Sequence, residues 1–259
     1  ERMWGLGDYG WKGFQEISAR YYGHCTLIDD QVGRIVAHLE RIGLADDTII
    51  IYTDDQGFML GEHDYIDKRW MYKEAMRMPF LVRYPAMIKA GTRTKAIINN
   101  TDFAPTLLAL AGGQTPDYMQ GKSFKSVLAS GKTPAGWREG TYYRYWMHMA
   151  HRHANPAHFG IRTEDHKLIF FYGRFYKDTR INANLEGWGN RYAMETPAAW
   201  EFYDLVKDPH EMDNRYGHPD HQATIQKLKA QLKKLRADLN EEDGKYPHIQ
   251  KVIDAHWDD

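Results

Sequence analysis

The sequence predicts an α/β chain: a helix-and-strand layer followed by a smaller antiparallel sheet with a packed helix. Three observations carry that prediction. An amphipathic helical stretch leads into a continuous β-branched run, Thr48-Ile49-Ile50-Ile51-Tyr52, which together make half of an α/β layer. After about Gly131, helical periodicity gives way to short aromatic and β-branched segments divided by turns. A last stretch with apolar residues three and four apart supplies a helix to cover that sheet.

From about Gln15 to Ile42 the pattern is helical. Ile28, Val32, Ile35, Val36, Leu39 and Ile42 form one apolar stripe, and Gly43 stands where a left-handed cap would end it. Cys25 falls in this helix and reads as a small core hydrophobe. The run Thr48–Tyr52 reads as a strand buried on both faces, as in a parallel sheet. Pro79–Tyr84 is a second strand, stopped by Pro85. Thr101 and Asp102 are helix N-cap types ahead of the stripe Phe103, Leu107, Leu108, Ala111, which Gly112-Gly113 ends. Tyr142–Trp146, Phe159–Thr163 and His166–Tyr172 read as strands of the small sheet. The final helix spans about His221 to Leu239, with Ile225, Leu228, Leu232, Leu235 and Leu239 on one seam. The seam also fits a coiled coil, but at under three heptads the expectation is a helix packed on a sheet. The expected division is residues 1–130 and 131–259.

Composition narrows the function classes. The chain has 259 residues with 34 Lys+Arg against 35 Asp+Glu, a net charge of −1, which argues against coating nucleic acid or an anionic membrane. The single Cys excludes an intrachain disulfide framework and a Cys-rich zinc site. The longest apolar runs are far too short to span ~30 Å of hydrocarbon. The chain opens Glu1-Arg2-Met3-Trp4-Gly5, without an initiator Met or a signal-like apolar segment, and so reads as the interior of a longer polypeptide or a processed piece of one.

Two stretches concentrate chemistry. Thr53-Asp54-Asp55-Gln56-Gly57 follows the first strand, and ligands bind at the carboxyl ends of strands in open α/β sheets. Its carboxylates and carboxamide form an oxygen-rich group suited to Ca²⁺ or Mg²⁺; the alternative is an Asx turn. Gly61–Glu74 packs charges and aromatics into a loop before the next strand, either as a functional loop or as a solvated, salt-bridged one. A third stretch, Tyr142–His158, mixes His, Arg and aromatic residues. It reads as a carbohydrate subsite, a His-rich metal site, or an ordinary strand with a polar loop.

Five motifs in order give these stretches a resemblance. They are Asp29-Asp30-Gln31-Val32-Gly33-Arg34, then Thr53-Asp54-Asp55-Gln56-Gly57, then Leu60-Gly61-Glu62-His63 with Asp67-Lys68-Arg69-Trp70-Met71-Tyr72, then Phe103-Ala104-Pro105-Thr106-Leu107-Leu108. Last come Gly160-Ile161-Arg162-Thr163 and Phe202-Tyr203-Asp204-Leu205 with Asp208-Pro209-His210-Glu211. The chain resembles the type I, formylglycine-dependent sulfatases of the alkaline phosphatase superfamily, and most of all the C-terminal portion of polysaccharide-directed bacterial sulfatases. The resemblance implies part of a mixed sheet covered by helices, plus the smaller C-terminal antiparallel sheet.

It also implies roles. Asp55 and Gln56 match two metal ligands, and the neutral Gln56 oxygen favours Ca²⁺ over the metals of His-bearing phosphatase relatives. Lys68 matches the lysine that contacts the substrate sulfate, and His63 would hold substrate or the leaving oxygen. Arg69, Trp70, His148, His151 and Arg162 are the implied substrate-binding residues, with Trp188 and Trp200 either joining them or belonging to the core. Asp54, Asp64 and Lys73 depart from the family's usual Ser, Gly and Glu. The Cys/Ser-x-Pro-x-Arg nucleophile motif does not occur in the chain. The expected function is therefore sulfate removal from a sulfated carbohydrate, with an N-terminal portion of the same sulfatase supplying the nucleophile in a periplasmic or secreted setting. Alternatives are a phosphate or phosphonate monoester hydrolase of the same superfamily, or a non-catalytic sugar-binding module.

Overall fold

The computed structural model describes residues 10–150, 154–177, 193–241 and 243–259. Helix α1 spans Gly10–Arg41. Its end is set by Gly43, whose φ of 74° is left-handed. The Gly43 and Leu44 amides return to the carbonyls of Glu40 (3.1 Å) and Leu39 (2.9 Å), closing the last turn. One sequence expectation fails here. No residue of α1 is buried: within the stripe Val32, Val36 and Leu39 are half-buried while Ile28, Ile35 and Ile42 are exposed, and Cys25 is exposed rather than core. A helix can be amphipathic without its partner surface being among the described residues, and the pattern alone does not say what covers it.

Strand β1, Ile50–Thr53, pairs antiparallel with β4, Phe80–Arg83, with Ile51 opposite Val82. It is half-buried at best, so the doubly buried parallel strand read from the β-branched run is corrected. A β-branched run reports burial preference but not the direction of its neighbour. Between these strands lie the short pair β2 (Met59–Leu60) and β3 (Ile66–Asp67) and the single turn α2 (Lys73–Met76).

Helix α3, Phe103–Leu110, is entered through a 3-10 turn over Asn100–Asp102. Asn99 caps that turn and Asp102 reciprocates by accepting the Asn99 amide at 2.7 Å; Asp102 thus closes the capping box of the 3-10 turn while standing at the N-cap position of α3, where its side chain makes no cap bond. Helix α4, Lys125–Ser130, ends at the left-handed Gly131. Phe80, Phe103 and Phe124 meet edge-to-face, each pair 5.5 Å apart, and tie α3 and α4 to β4.

The second half is a four-stranded antiparallel sheet in sequence order: β5 (Gly140–Tyr145), β6 (His158–Thr163), β7 (His166–Phe171) and β8 (Ala199–Asp204). The period of two divides it cleanly. Phe159, Ile161, Leu168, Phe170, Trp200 and Phe202 pack on Ile225, Leu228 and Leu232 of α5 (Gln222–Asp238) and on Ile249 and Ile253 of α6 (Pro247–His256). Each such side chain contributes about 1.5–3 kcal/mol when buried. On the other face, Ile169, Phe171 and Tyr203 cover Met59, Met71, Tyr72 and Ala75. The loop between β2 and β4 is thus clamped against the C-terminal sheet. Gly160 permits the approach, since a Cβ there would strike the Leu168 carbonyl and the Met71 sulfur.

Candidate functional site

The turn after β1 is fixed from several directions. Asp54 turns back so that its Oδ1 accepts the Asp55 amide at 2.7 Å, an Asx-type cap. The Asp55 carbonyl accepts from Asn100 Nδ2 at 2.9 Å. The Gly57 amide donates to the Ala75 carbonyl at 3.0 Å, and a Cβ on Gly57 would overlap the carbonyls of Glu74 and Arg77. With the backbone spoken for, the side chains of Asp55 (exposed) and Gln56 (half-buried) make no hydrogen bond among the described residues. Two adjacent oxygen donors with free lone pairs on a braced turn fit a hard cation. Asp54 spends one oxygen on the cap.

The loop from Gly61 to Tyr72 carries a concentration of unusual backbone. His63, Asp64, Asp67 and Arg69 have φ of 53°, 58°, 106° and 87°. Such non-glycine conformations cost about 1–3 kcal/mol each and persist only where surrounding contacts hold them. Lys68 lies between two of them. It is half-buried, and its ammonium has no hydrogen-bond or ion-pair partner among the described residues. Arg69 donates to Asp67 at 2.8 Å. His63 stacks flat on Tyr72, centroids 4.1 Å apart, with Nε2 3.9 Å from Glu74 Oε2. Trp70 stacks on Tyr72 at 5.6 Å and on His158 at 5.9 Å.

Beneath this loop lies a polar layer that sequence reasoning did not reveal. The buried Lys167 ammonium pairs with the buried Glu211 carboxylate and donates to the Met71 carbonyl at 2.6 Å. Burial lowers the proton affinity of Lys167, and Glu211 opposes that shift. Glu211 Oε2 accepts the Lys73 amide at 2.8 Å. Glu201 accepts from the hydroxyls of Tyr72 and Tyr203, both at 3.0 Å, and burial raises its pKa. His63, Glu74 and Glu211 approach closely enough to hold an ion. The Lys167 ammonium already supplies positive charge there.

The remaining expected site residues separate. Arg162 sits on β6 on the same face as His158 and Gly160, turned toward the Lys68 loop. His148 is fully buried. Its Nδ1 accepts the Ala157 amide at 3.0 Å and its Nε2 meets the Met194 carbonyl at 2.6 Å, so neither nitrogen is left for a substrate. Arg144 is likewise buried, stacked on Trp146 at 3.4 Å and paired with Asp243 at 2.6 Å. Trp200 is a core residue whose Nε1 donates to the His256 carbonyl at 2.9 Å. The described part of the Tyr142–His158 stretch is therefore largely structural. His151 and Trp188 lie outside the described residues.

Comparisons place this geometry among known proteins. A model described as "Sulfatase" matches residues 8–113, and one described as "N-sulphoglucosamine sulphohydrolase, C-terminal" matches residues 61–181 and 191–238. The N-acetylglucosamine-6-O-sulfatase of Bacteroides thetaiotaomicron is 41% identical over 90% of this chain and 38% of its own length. An ulvan-active sulfatase of Formosa agariphila is 28% identical over 86% of the chain and 39% of its own length. Among solved structures, a protein in complex with its substrate D-glucosamine-2-N,6-O-disulfate superimposes with a TM-score of 0.78 at 41% identity, covering 90% of this chain and 42% of that one. The phosphonate monoester hydrolase of Agrobacterium radiobacter superimposes at 0.70 with 25% identity, covering 89% and 43%. The chain spans about two fifths of the length of these relatives.

Proposed function

From the premise that this chain belongs to the sulfatase family, we propose that it is the C-terminal portion of an enzyme that hydrolyses a sulfate ester of a sulfated glucosamine. The observation that carries the reading is the braced Asp55–Gln56 turn, with both side chains free, next to a strained loop that presents an uncommitted Lys68.

Asp55 and Gln56 would hold Ca²⁺, chosen by a carboxylate and a neutral carboxamide oxygen without a His. Calcium bound there supplies polarisation of the sulfuryl oxygens. The Lys68 ammonium meets charge building on those oxygens as the S–O bond breaks. His63, fixed by Tyr72 stacking, orients the leaving oxygen. Arg69, Trp70 and Arg162 grip the sugar and its anionic groups, and His151 is a further substrate-binding residue in this reading. His148 serves by holding the backbone beside this surface.

The formylglycine nucleophile and the remaining metal ligands come from an N-terminal portion of the same sulfatase. The exposed Ile28, Ile35 and Ile42 of the first helix's stripe and the exposed Leu81 on β4 support a further layer supplied by that portion. We divide the chain at residues 130 and 131, after α4, and place the enzyme in the periplasm or outside the cell. Among the described residues no helix is long and apolar enough to cross a membrane.

The test is complementation. Combined with a nucleophile-bearing N-terminal portion, the chain should release sulfate from N-acetylglucosamine 6-sulfate in the presence of calcium, and alone it should not. Turnover by the chain alone refutes this division of labour. A preference for phosphonate monoesters together with bound zinc or manganese favours the phosphonate hydrolase reading instead.

A further inference from the structure

The segment that follows Lys68 is held at every second residue by the C-terminal sheet and the loop after its last strand. The Tyr143 hydroxyl of β5 donates to the Arg69 carbonyl at 2.9 Å. Lys167 of β7 donates to the Met71 carbonyl at 2.6 Å. Glu211, in the loop after β8, accepts the Lys73 amide at 2.8 Å, while Lys73 Nζ reaches the Pro209 carbonyl at 3.2 Å. The two charged members of this row, Lys167 and Glu211, are buried and paired with each other. An ion pair out of water is a poor source of stability compared with packed apolar side chains. Its value lies in direction: one partner fixes a carbonyl, the other an amide two residues on.

We propose that the Lys167–Glu211 pair is a positioning device for Lys68, holding the strained Asp67–Arg69 backbone in the conformation that presents the Lys68 ammonium to the substrate. The proposal rests on the reading of Lys68 as the sulfate contact. The strain supplies the reason: Asp67 and Arg69 sit at φ of 106° and 87°, conformations a free loop would leave. Tyr143 anchors the carbonyl of the second strained residue, and Lys167 and Glu211 anchor the next two alternate positions. A flexible ammonium would lose orientation, and misplacement by about 1 Å is enough to cost ~100-fold in rate.

The test uses the complete enzyme with Lys167→Met, Glu211→Gln, Lys167→Arg and the apolar double variant Lys167→Met/Glu211→Leu, which leaves no buried charge unpaired. Two quantities are read: amide hydrogen exchange of residues 67–73, and kcat and KM for N-acetylglucosamine 6-sulfate well below the melting temperature. Exchange at 67–73 should quicken at least tenfold in the single and double variants, while β6 and β7 stay protected. The kcat should fall tenfold or more, and Lys167→Arg should restore most of it. If the single variants fail to fold, the double variant alone decides. Unchanged exchange at 67–73, or unchanged kcat in a folded variant, overturns the proposal. If Lys68→Met itself leaves turnover intact, the reading of Lys68 is the part that fails, and the exchange data still report whether the clasp holds the loop.

Discussion

Asn100 donates its side-chain amide to the carbonyl of Asp55 at 2.9 Å, tying the turn after the first strand to the 3-10 turn that opens α3. That opening is itself braced. Asp102, with no exposed surface, accepts from Asn99 and Lys122 amides at 2.7 and 2.8 Å and is gripped by both terminal nitrogens of Arg138. The geometry of the turn at Asp55 therefore depends on a buried carboxylate 47 residues further along the chain.

Removing one partner of that grip should be severe. Arg138→Ala leaves the Asp102 carboxylate buried and short of its cation, a change that costs about 3–5 kcal/mol. Urea unfolding at neutral pH checks this. A loss within about 0.5 kcal/mol, typical of surface substitutions, would contradict it.

His158 makes the fold sensitive to acid. Its Nδ1 donates to the Pro156 carbonyl at 2.7 Å, and Trp70, Tyr143, Tyr145 and Phe171 surround the ring. Burial pushes its pKa down to about 4. The folded value lies below the ordinary value of about 6.5, so the stability tied to neutral His158 is complete above that pH. It is lost as pH falls from about 6.5 toward 4, up to about 3 kcal/mol. His158→Phe should flatten the decline over that window, at some loss of stability at pH 8 from the unpaired Pro156 carbonyl. Parallel profiles for the two proteins would contradict the assignment.

The seam of α5 governs the C-terminal core. Leu232 is fully buried between the sheet and α6, so Leu232→Ala should cost about 2–5 kcal/mol. Lys233 carries no such burden, and Lys233→Ala should be near neutral. Equal effects would mean the helix does not cover the sheet as described.

What the sequence discloses follows from the range of its signals. The α5 seam, the three strands β5, β6 and β7, and the turn at Asp54–Gly57 are local patterns and are legible. Helix α6 escapes because ten residues beginning at Pro247 show only Ile249, Val252 and Ile253 as a stripe. Strand β8 escapes because Glu201, facing Tyr72 and Tyr203, interrupts its apolar run. Lys167 and Glu211 look like ordinary surface charges in sequence. Only the fold reveals that they meet each other, 96 and 138 residues from the backbone groups they hold. In the same way a lone His148 suggests a ligand until both ring nitrogens are seen committed to backbone groups.

Calcium should stabilise the completed enzyme through Asp55 and Gln56. At a free concentration 100 times its dissociation constant, a ligand adds about 2.7 kcal/mol. Asp55→Ala should abolish the calcium-dependent rise in melting temperature while leaving the metal-free value within a few degrees. An undiminished rise in the variant would place the ion elsewhere.

The central claim is that Lys68 meets the sulfate while Asp55 and Gln56 hold the cation. Steady-state sulfate release from N-acetylglucosamine 6-sulfate by the completed enzyme, wild type against Lys68→Met at saturating calcium, tests it most directly. The account predicts a loss in kcat/KM of about 100-fold or more, the scale of removing one preorganised donor, with calcium binding retained. Turnover within a fewfold of wild type would contradict it.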